Sequence, residues 1–449
     1  MSLQFIIGSS GIGKTHYACE QIIRESMENP QHLYYIIVPE QFTMQTQKNV
    51  VEMHPGKGIL NIDVLSFQRL AYRIFEETGG AREVLLDDTG KSMVLQKLVQ
   101  QHRKNLPYLG SQMNKPGYLD EVKSLISEFM QYDIREEELQ DMLGKTGEDS
   151  LLHMKMQDVG VLYQAFLQYL EGHYMTGEGV MDALKKAIPF SDKLKKSVLL
   201  LDGFTGFTPV QMNVIRELLN VCDKVLVTVT MDAEENPLQL GKPHQLFYMS
   251  RKMIHTLSGL TSNLDDPVLL KDERKGRFGN STSLDFLEKH LFRYRRSAYE
   301  KKQEEICIFA AESPVKELEE TARRIRRLVR EKNLKYGEIA VITGNLEAYK
   351  SIASQVFEES RIPYFLDEKH TILMNPFIEY IRAALEMVTK GFSYESVFRY
   401  LRCDMSGLGR EQVDMLENYV LALGIHGYKK WSEKWVRVYR TMDPEDIQV

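Results

Sequence analysis

The sequence predicts an α/β fold built on a parallel sheet, and three observations predict it. Short apolar, β-branched runs ("LQFII", "YYIIVP", "GILNIDVL") alternate with stretches whose apolar residues recur at helical spacing. Turn residues punctuate the series, with Gly79 and Gly80 closing the third helical stretch. The first run leads directly into "GSSGIGKT", a glycine-rich turn between strand and helix. Strands that alternate with helices pair in parallel and are covered by those helices.

Taken in order, "LQFII" is the first strand and "HYACEQIIRESM" the helix that follows the turn. "YYIIVP" is the second strand, with a helix from about Thr43; "GILNIDVL" is the third, with the helix "FQRLAYRIFEET". From about Leu85 to Lys195 strands vanish, and "KSMVLQKLVQQHRKNL", "GYLDEVKSLISEFMQY" and "MQDVGVLYQAFLQYLEGHY" read as helices. "SVLLLDGF", the helix "PVQMNVIRELL" and "KVLVTVTM" then resume the sheet. A first lobe of residues 1–84 and 196–231 is therefore expected, interrupted by a helical insertion at 85–195. Residues 232–302 are polar and irregular and read as a connector. A second strand–helix series ("EICIFAA", "PVKELEETARRIRRLVREKN", "EIAVITG", "IPYFL") is expected to start a second lobe at 303–390. A helical segment, 391–449, follows it and ends in "RTMDPEDIQV" without a recognisable fold ending.

At 449 residues the chain exceeds one ordinary core. With 43% hydrophobic and 27% charged residues it has the balance of a globular protein in water. No apolar run reaches membrane-spanning length and the N-terminus lacks a signal pattern, so a cytoplasmic location without membrane contact is expected. Cys19, Cys222, Cys307 and Cys403 stand singly, with no C-x-x-C pair, which provides neither a zinc ribbon nor an iron–sulfur ligand set. The net charge of −6 argues against an overall basic surface, yet leaves room for a locally positive groove.

"GSSGIGKT" fits the phosphate-loop pattern G-x-x-x-x-G-K-[ST]. Backbone N–H groups across Gly8, Ser9, Ser10, Gly11, Ile12 and Gly13 wrap phosphates, Lys14 neutralises their charge, and the Thr15 hydroxyl holds Mg²⁺. ATP with Mg²⁺ is the expected ligand. The second acid of such a site ends a neighbouring apolar strand, and Asp202 in "SVLLLDGF" is placed for it. A capping aspartate is the alternative reading of that residue. A hydrolysing motor carries a glutamate directly after this aspartate; here Gly203 stands there. A two-lobed motor also offers an arginine from its second lobe, and "YGEIAVITGNLEAY" has Thr343 and Gly344 at that place. Loss of such an arginine typically costs roughly 10³–10⁵ in rate. The site is expected to bind ATP and to turn it over slowly.

"VPEQFTMQTQ" and "VLSFQRLAYRIF" follow the second and third strands, at the carboxyl edge where parallel sheets place ligands. Gln41, Thr43, Phe67, Arg69 and Tyr72 combine amide, hydroxyl, guanidinium and aromatic groups that suit single-stranded DNA. A buried helix stripe (Phe67, Leu70, Ile74, Phe75) with a solvated outer face explains the same letters. "ARRIRRLVREK" has Glu319 and Glu320 four residues before Arg323 and Arg324 and reads as a solvated helix face. "LFRYRRSAYEKK" interleaves basic residues with Phe292, Tyr294 and Tyr299, as a DNA-contacting linker or a charged hinge does. No nuclease metal cluster is legible. Asp367, Glu368 and Lys369 are adjacent, which on a strand turns neighbours to opposite faces.

Together "GSSGIGKT", "VPEQFT", "VLSFQRLAYR", "LLLDGFTGFTPVQ", "YGEIAVITGNLEAY", "RIPYFLDEKHTIL" and "NPFIEYIRAAL" resemble the B subunits of AddAB-type ATP-dependent helicase/deoxyribonucleases. The resemblance spans Phe5 to about Leu385. It implies a superfamily-one helicase-like fold, with a P-loop NTPase-type sheet and the start of a second RecA-like lobe. It also implies a heterodimer with an AddA-type helicase/nuclease partner, acting on single- and double-stranded DNA ends in recombinational repair of double-strand breaks. The family's 5'-3' exonuclease domain and iron–sulfur cluster lie beyond the residues present, so the chain is expected to be the front part of a longer protein. By motif, the resemblance makes Gln41, Thr43, Phe67, Arg69, Tyr72 and Phe207 candidates for contacting DNA and recognising Chi, while the partner drives translocation. A nucleoside or small-molecule kinase is the alternative for the phosphate loop. A scaffold with a vestigial loop is the non-enzymatic one.

Overall fold

In the computed structural model, residues 2–80, 83–113, 115, 117–147, 150–271, 276–293, 297–367 and 372–436 are described. They fall into two units, Met1–Cys307 and Ile308–Val449.

In the first unit the sheet strands are β1 (Ser2–Gly8), β2 (Leu33–Ile37) and β3 (Ile62–Leu65). After a helical insertion the chain adds, in turn, the strands at Ser197–Leu201, Lys224–Thr230 and Val268–Leu269. The insertion itself holds β4 (Val84–Leu86) and β5 (Tyr174–Thr176), so the later three are β6, β7 and β8. The spatial order is β3-β2-β6-β7-β1-β8, all parallel. A parallel sheet needs both faces covered, which is why its strands are apolar without alternation. Leu3, Phe5 and Ile7 point to one face of β1 and Ile6 to the other. The Ile6 face is covered by α1 (Lys14–Glu28) and α2 (Thr43–Met53), through Ala18, Ile22 and Val50. The Phe5 face is covered by α3 (Phe67–Thr78) and by three helices that enter later in the chain.

The insertion runs through α4 (Asp88–His102), α5 (Leu109–Gln112), α6 (Tyr118–Gln131), α7 (Glu136–Gly144) and α8 (Leu151–Leu170). These enclose their own core, with Leu95, Ile126, Leu162 and Phe166 at its centre. The parallel pair β4–β5 closes its base. Next come α9 (Gly179–Ala187), α10 (Pro209–Val221) and α11 (Tyr248–Ser258), the three that complete cover of the Phe5 face. The stretch 85–195, expected to lack strands, is largely helical but contains β5 paired with β4, and α9 belongs to the cover of the sheet. The stretch read as a connector does more than connect. Its residues form α11, edge strand β8 and α12 (Thr282–His290), and Leu270 is buried in the sheet core.

The second unit holds α13 (Pro314–Lys332), α14 (Leu346–Glu359), α15 (Pro376–Thr389), α16 (Tyr394–Leu401), α17 (Arg410–Leu423) and α18 (Tyr428–Ser432). α13 packs on α14 through Leu318, Ala322, Ile325, Val356 and Phe357. The strands expected in "EICIFAA", "EIAVITG" and "IPYFL" are a correction: among the described residues, 306–311, 339–343 and 363–366 form no ladder. Their apolar side chains face solvent, with Ile308, Ile342 and Phe365 about nine-tenths exposed. A β-branched run supplies strand propensity, but a ladder also needs a neighbour at hydrogen-bonding distance. Tyr294, Glu368, Lys369 and the terminal "RTMDPEDIQV" lie outside the described residues. Among the described residues no helix is long and apolar enough to cross a membrane.

Candidate nucleotide and nucleic-acid site

β1 delivers the chain to Gly8, and the loop turns through Gly11 (φ 78°) and Gly13 (φ 99°) before α1 begins at Lys14. Both φ values lie in the left-handed region that favours glycine. No side chain caps α1, so the N–H groups of its first turn face the loop. The Lys14 ammonium donates to the Ser9 carbonyl oxygen at 2.8 Å. Burial draws its pKa down, and the carboxylates of Asp202 and Glu288 act in the opposite sense.

β6 ends beside this loop. Asp202 is 6% exposed, its backbone N–H held by the Ile37 carbonyl at 3.0 Å. The Thr15 hydroxyl donates to the Asp202 carboxylate, 3.0 Å from each oxygen. The Thr228 hydroxyl donates to Asp202 Oδ1 at 2.6 Å and also faces the Gly203 N–H at 3.4 Å. Thr228 sits on β7, the strand between β6 and β1, opposite Ile6. The sheet order thus fixes the geometry: β7 holds the carboxylate that β6 supplies and aims it at the first turn after β1.

These residues fit a triphosphate with its Mg²⁺. A hydroxyl and a carboxylate that share one hydrogen bond are the pair that cradles a hydrated magnesium ion, and a lysine ammonium lies in the same loop. Lys14 would hold β- and γ-phosphate oxygens, and Thr15 and Asp202 the metal, which supplies charge neutralisation at the transferring phosphoryl group. Among the described residues no cluster of three or more His, Cys, Asp or Glu could hold a metal by itself. Cys19 and Cys222 are buried, Cys403 is half-buried and Cys307 exposed.

Thr228 was not picked out by sequence reasoning. Its only signal is a hydroxyl inside the strand "KVLVTVT", whose neighbours are apolar. The segment after β8 was missed too. The Arg277 N–H donates to the Gly11 carbonyl at 2.8 Å, and Glu288 Oε1 on α12 accepts from the Ser10 N–H at 3.2 Å.

At the ends of β2 and β3 a cavity of about 460 Å³ opens, lined by Pro39, Glu40, Ser66, Phe67, Phe204 and Thr208, with Gln68, Gln131, Glu178 and Gln211 around it. The Ser66 hydroxyl caps α3, accepting from the Arg69 N–H at 3.3 Å. Of the six residues chosen from sequence for DNA, Phe67 alone lines this cavity. Its ring is 6% exposed and packs edge-on against Phe204 and Phe207, at 5.6 and 6.2 Å between centroids. Thr43 is buried and its hydroxyl donates to the Glu40 carbonyl at 2.9 Å. Gln41, Arg69 and Tyr72 are exposed along the same edge. Arg69 faces Glu40 at 3.3 Å, and Tyr72 meets Phe75 edge-on at 6.2 Å. Phe42, half exposed, and Phe204, which the sequence left unmarked, complete the aromatic set. In the second unit Arg323, Arg326, Arg327 and Arg330 are exposed on α13, with Arg323 paired to Glu320 at 3.2 Å, as a solvated face requires.

The profile of the family described as "ADDB, N-terminal" matches residues 5–288, and that of the "UvrD-like helicase C-terminal domain" matches residues 279–436. The B subunit of the ATP-dependent helicase/deoxyribonuclease of Lachnoclostridium phytofermentans is 42% identical over 100% of this chain and 40% of its own length. Those of Clostridium novyi and Caldanaerobacter subterraneus are 34% and 35% identical, over 97% of this chain and 38% and 37% of theirs. The chain spans about two fifths of the length of these curated relatives. The chain belongs to the family of ATP-dependent helicase/deoxyribonuclease B subunits.

Proposed function

We propose that this chain is the ATP- and DNA-binding, helicase-like part of a cytoplasmic AddAB-type helicase/nuclease that processes double-strand breaks for recombinational repair. It grips single-stranded DNA and recognises Chi while an AddA-type partner drives translocation. The observation that carries the reading is the Thr15–Asp202–Thr228 hydrogen-bond chain beside Lys14. Immediately after that acid stands Gly203, which has no side chain to orient water. The lobe therefore holds a triphosphate and lacks the side chain that orients the attacking water. Gln41, Thr43, Phe67, Arg69, Tyr72 and Phe207, gathered at one sheet edge or packed directly behind it, are the strand-contacting set. The loop 203–208 joins the two places, since Asp202 is two residues from Phe204 in the cavity wall.

The test is equilibrium binding of ATP–Mg²⁺ and of a single-stranded oligonucleotide to the chain, with turnover measured in parallel. Nucleotide binding abolished by Lys14→Ala, oligonucleotide binding, and slow hydrolysis are expected. Brisk DNA-stimulated hydrolysis overturns the division of labour. Phosphoryl transfer to a nucleoside without DNA overturns the reading altogether.

A further inference from the structure

The nucleotide-binding reading leaves α12 unexplained, although it touches the phosphate loop directly. Ser10 N–H donates to Glu288 Oε1 at 3.2 Å, and Glu288 also stands close enough to Lys14 to act on its charge. A carboxylate oxygen on a loop amide is in the relation that a phosphate oxygen takes at such a loop. The preceding segment is fitted to the same place. Arg277 N–H donates to the Gly11 carbonyl at 2.8 Å, and a Cβ at Gly11 would come within 2.9 Å of the Phe278 ring. Asp285, one turn before Glu288, lines the same cavity and is paired with Lys289 at 3.1 Å. The cavity between loop and α12 measures about 220 Å³. Its loop side is Ser9 to Ile12, so α12 seats on the outer amides of the phosphate loop, next to Lys14 rather than over Thr15 and Asp202.

We propose that Glu288 is a built-in competitor for the phosphate loop, holding the Ser10 amide until α12 withdraws and thereby setting the affinity for nucleotide. The inference rests on the nucleotide-binding reading and adds its control element. Glu288 puts its carboxylate on the Ser10 amide, whereas the charge of Asp285 is offset by Lys289, so nucleotide and docked α12 compete through Glu288 for the same loop amide. Linkage makes the effect reciprocal: whatever draws α12 off the loop strengthens nucleotide binding by the factor by which nucleotide loosens α12.

The experiment is a fluorescence titration of the full chain with mant-ATP and Mg²⁺, for the wild type, E288Q, E288D and E300Q, with hydrogen exchange of the α12 amides followed in the wild type. The amide of E288Q lacks the charge, and binding about tenfold tighter than wild type is expected. E288D, shorter by a methylene, falls between, and E300Q, on an exposed residue of the same unit, matches the wild type. Saturating nucleotide speeds exchange across residues 282–290. Equal or weaker binding by folded E288Q, or α12 exchange that ignores nucleotide, overturns the proposal and leaves the nucleotide site standing. Absence of binding in every variant overturns both.

Discussion

Thr15 and Asp202 are 187 positions apart, yet the hydroxyl of one lies 3.0 Å from both carboxylate oxygens of the other. The whole helical insertion separates them in sequence, and the parallel order β6-β7-β1 returns them to one edge. Thr228 on the middle strand steadies the carboxylate by donating a second hydroxyl hydrogen bond to Asp202.

Thr228→Val tests that role. Valine preserves shape and removes the hydroxyl that β7 donates to Asp202, leaving a buried carboxylate oxygen under-satisfied. Such a loss costs about 1–3 kcal/mol. A denaturant midpoint lowered accordingly, with weaker Mg²⁺ dependence of nucleotide binding, is the expected outcome. An unchanged midpoint shows that Asp202 needs no support from β7.

Gly203 differs from a motor's glutamate in backbone as well as side chain. Its φ of 78° is left-handed, and the turn sends the chain toward Phe204 and the neighbouring cavity. An L-residue there costs about 1–2 kcal/mol. Gly203→Glu is therefore expected to lower stability by that amount and leave ATP turnover unraised, because the new carboxylate leaves a differently directed backbone. A rise in turnover by several hundredfold in the steady-state assay shows the contrary.

The joint between insertion and sheet lobe is ionic. Lys91 on α4 meets Glu178, just before α9, at 2.9 Å, and the two side chains are 7% and 11% exposed. Burial pushes the Glu178 carboxyl up, but the Lys91 hydrogen bond and charge outweigh it and its pKa is lowered from 4.5. The folded state thus holds its proton less tightly than the unfolded chain. The stabilisation is complete above that unfolded value and disappears as pH falls through the folded one. Lys91→Met, which strands the carboxylate, is expected to cost about 3–5 kcal/mol and to remove this acid dependence. Thermal melts between pH 3 and 7 read both.

Cys19 and Cys222 pack within the sheet lobe. Burial, with Asp202 adding to it, lifts the Cys19 thiol to about 12; burial lifts Cys222 to about 11. Cys307 is exposed. At pH 8 a thiol reagent is expected to modify Cys307 in the native chain and to reach Cys19 and Cys222 only on unfolding. Rapid labelling of either by mass spectrometry shows that the lobe opens readily.

The sheet lobe was legible because each strand is apolar and each boundary carries turn chemistry. The phosphate loop and Asp202 were legible because glycine, lysine and an acid at a strand end have few other reasons to coincide. Thr228 and Glu288 were not, since their role depends on which strand lies between β6 and β1 and on where α12 returns. Neither relation leaves a local pattern. The second unit shows the opposite failure. "EIAVITG" has full strand propensity, yet its residues pair with nothing among those described, because propensity cannot supply a neighbour. Phe67 read equally as core and as contact, and the structure buries it while placing it in a cavity wall; Thr43, read as a contact, is buried.

Arg69 is the residue of the proposed DNA edge with the clearest electrostatic signature. It is exposed and faces Glu40 at 3.3 Å, with both side chains 57% exposed. A pair that open to water contributes about 0–1 kcal/mol, so the guanidinium can leave Glu40 for a phosphate at small cost. Each phosphate neutralised on a single strand contributes about 0.7 to the slope of log K against log salt concentration. Arg69→Ala is expected to weaken oligonucleotide binding and to reduce that slope by about 0.7. Glu40→Gln removes the competitor and strengthens binding without steepening the slope by a full contact. Tyr72→Ala removes a ring, not a charge; loss of stacking costs about 1–3 kcal/mol and leaves the slope where it was. Titrations by fluorescence anisotropy at several salt concentrations separate the three. An Arg69→Ala slope equal to the wild type places the DNA backbone elsewhere on the lobe.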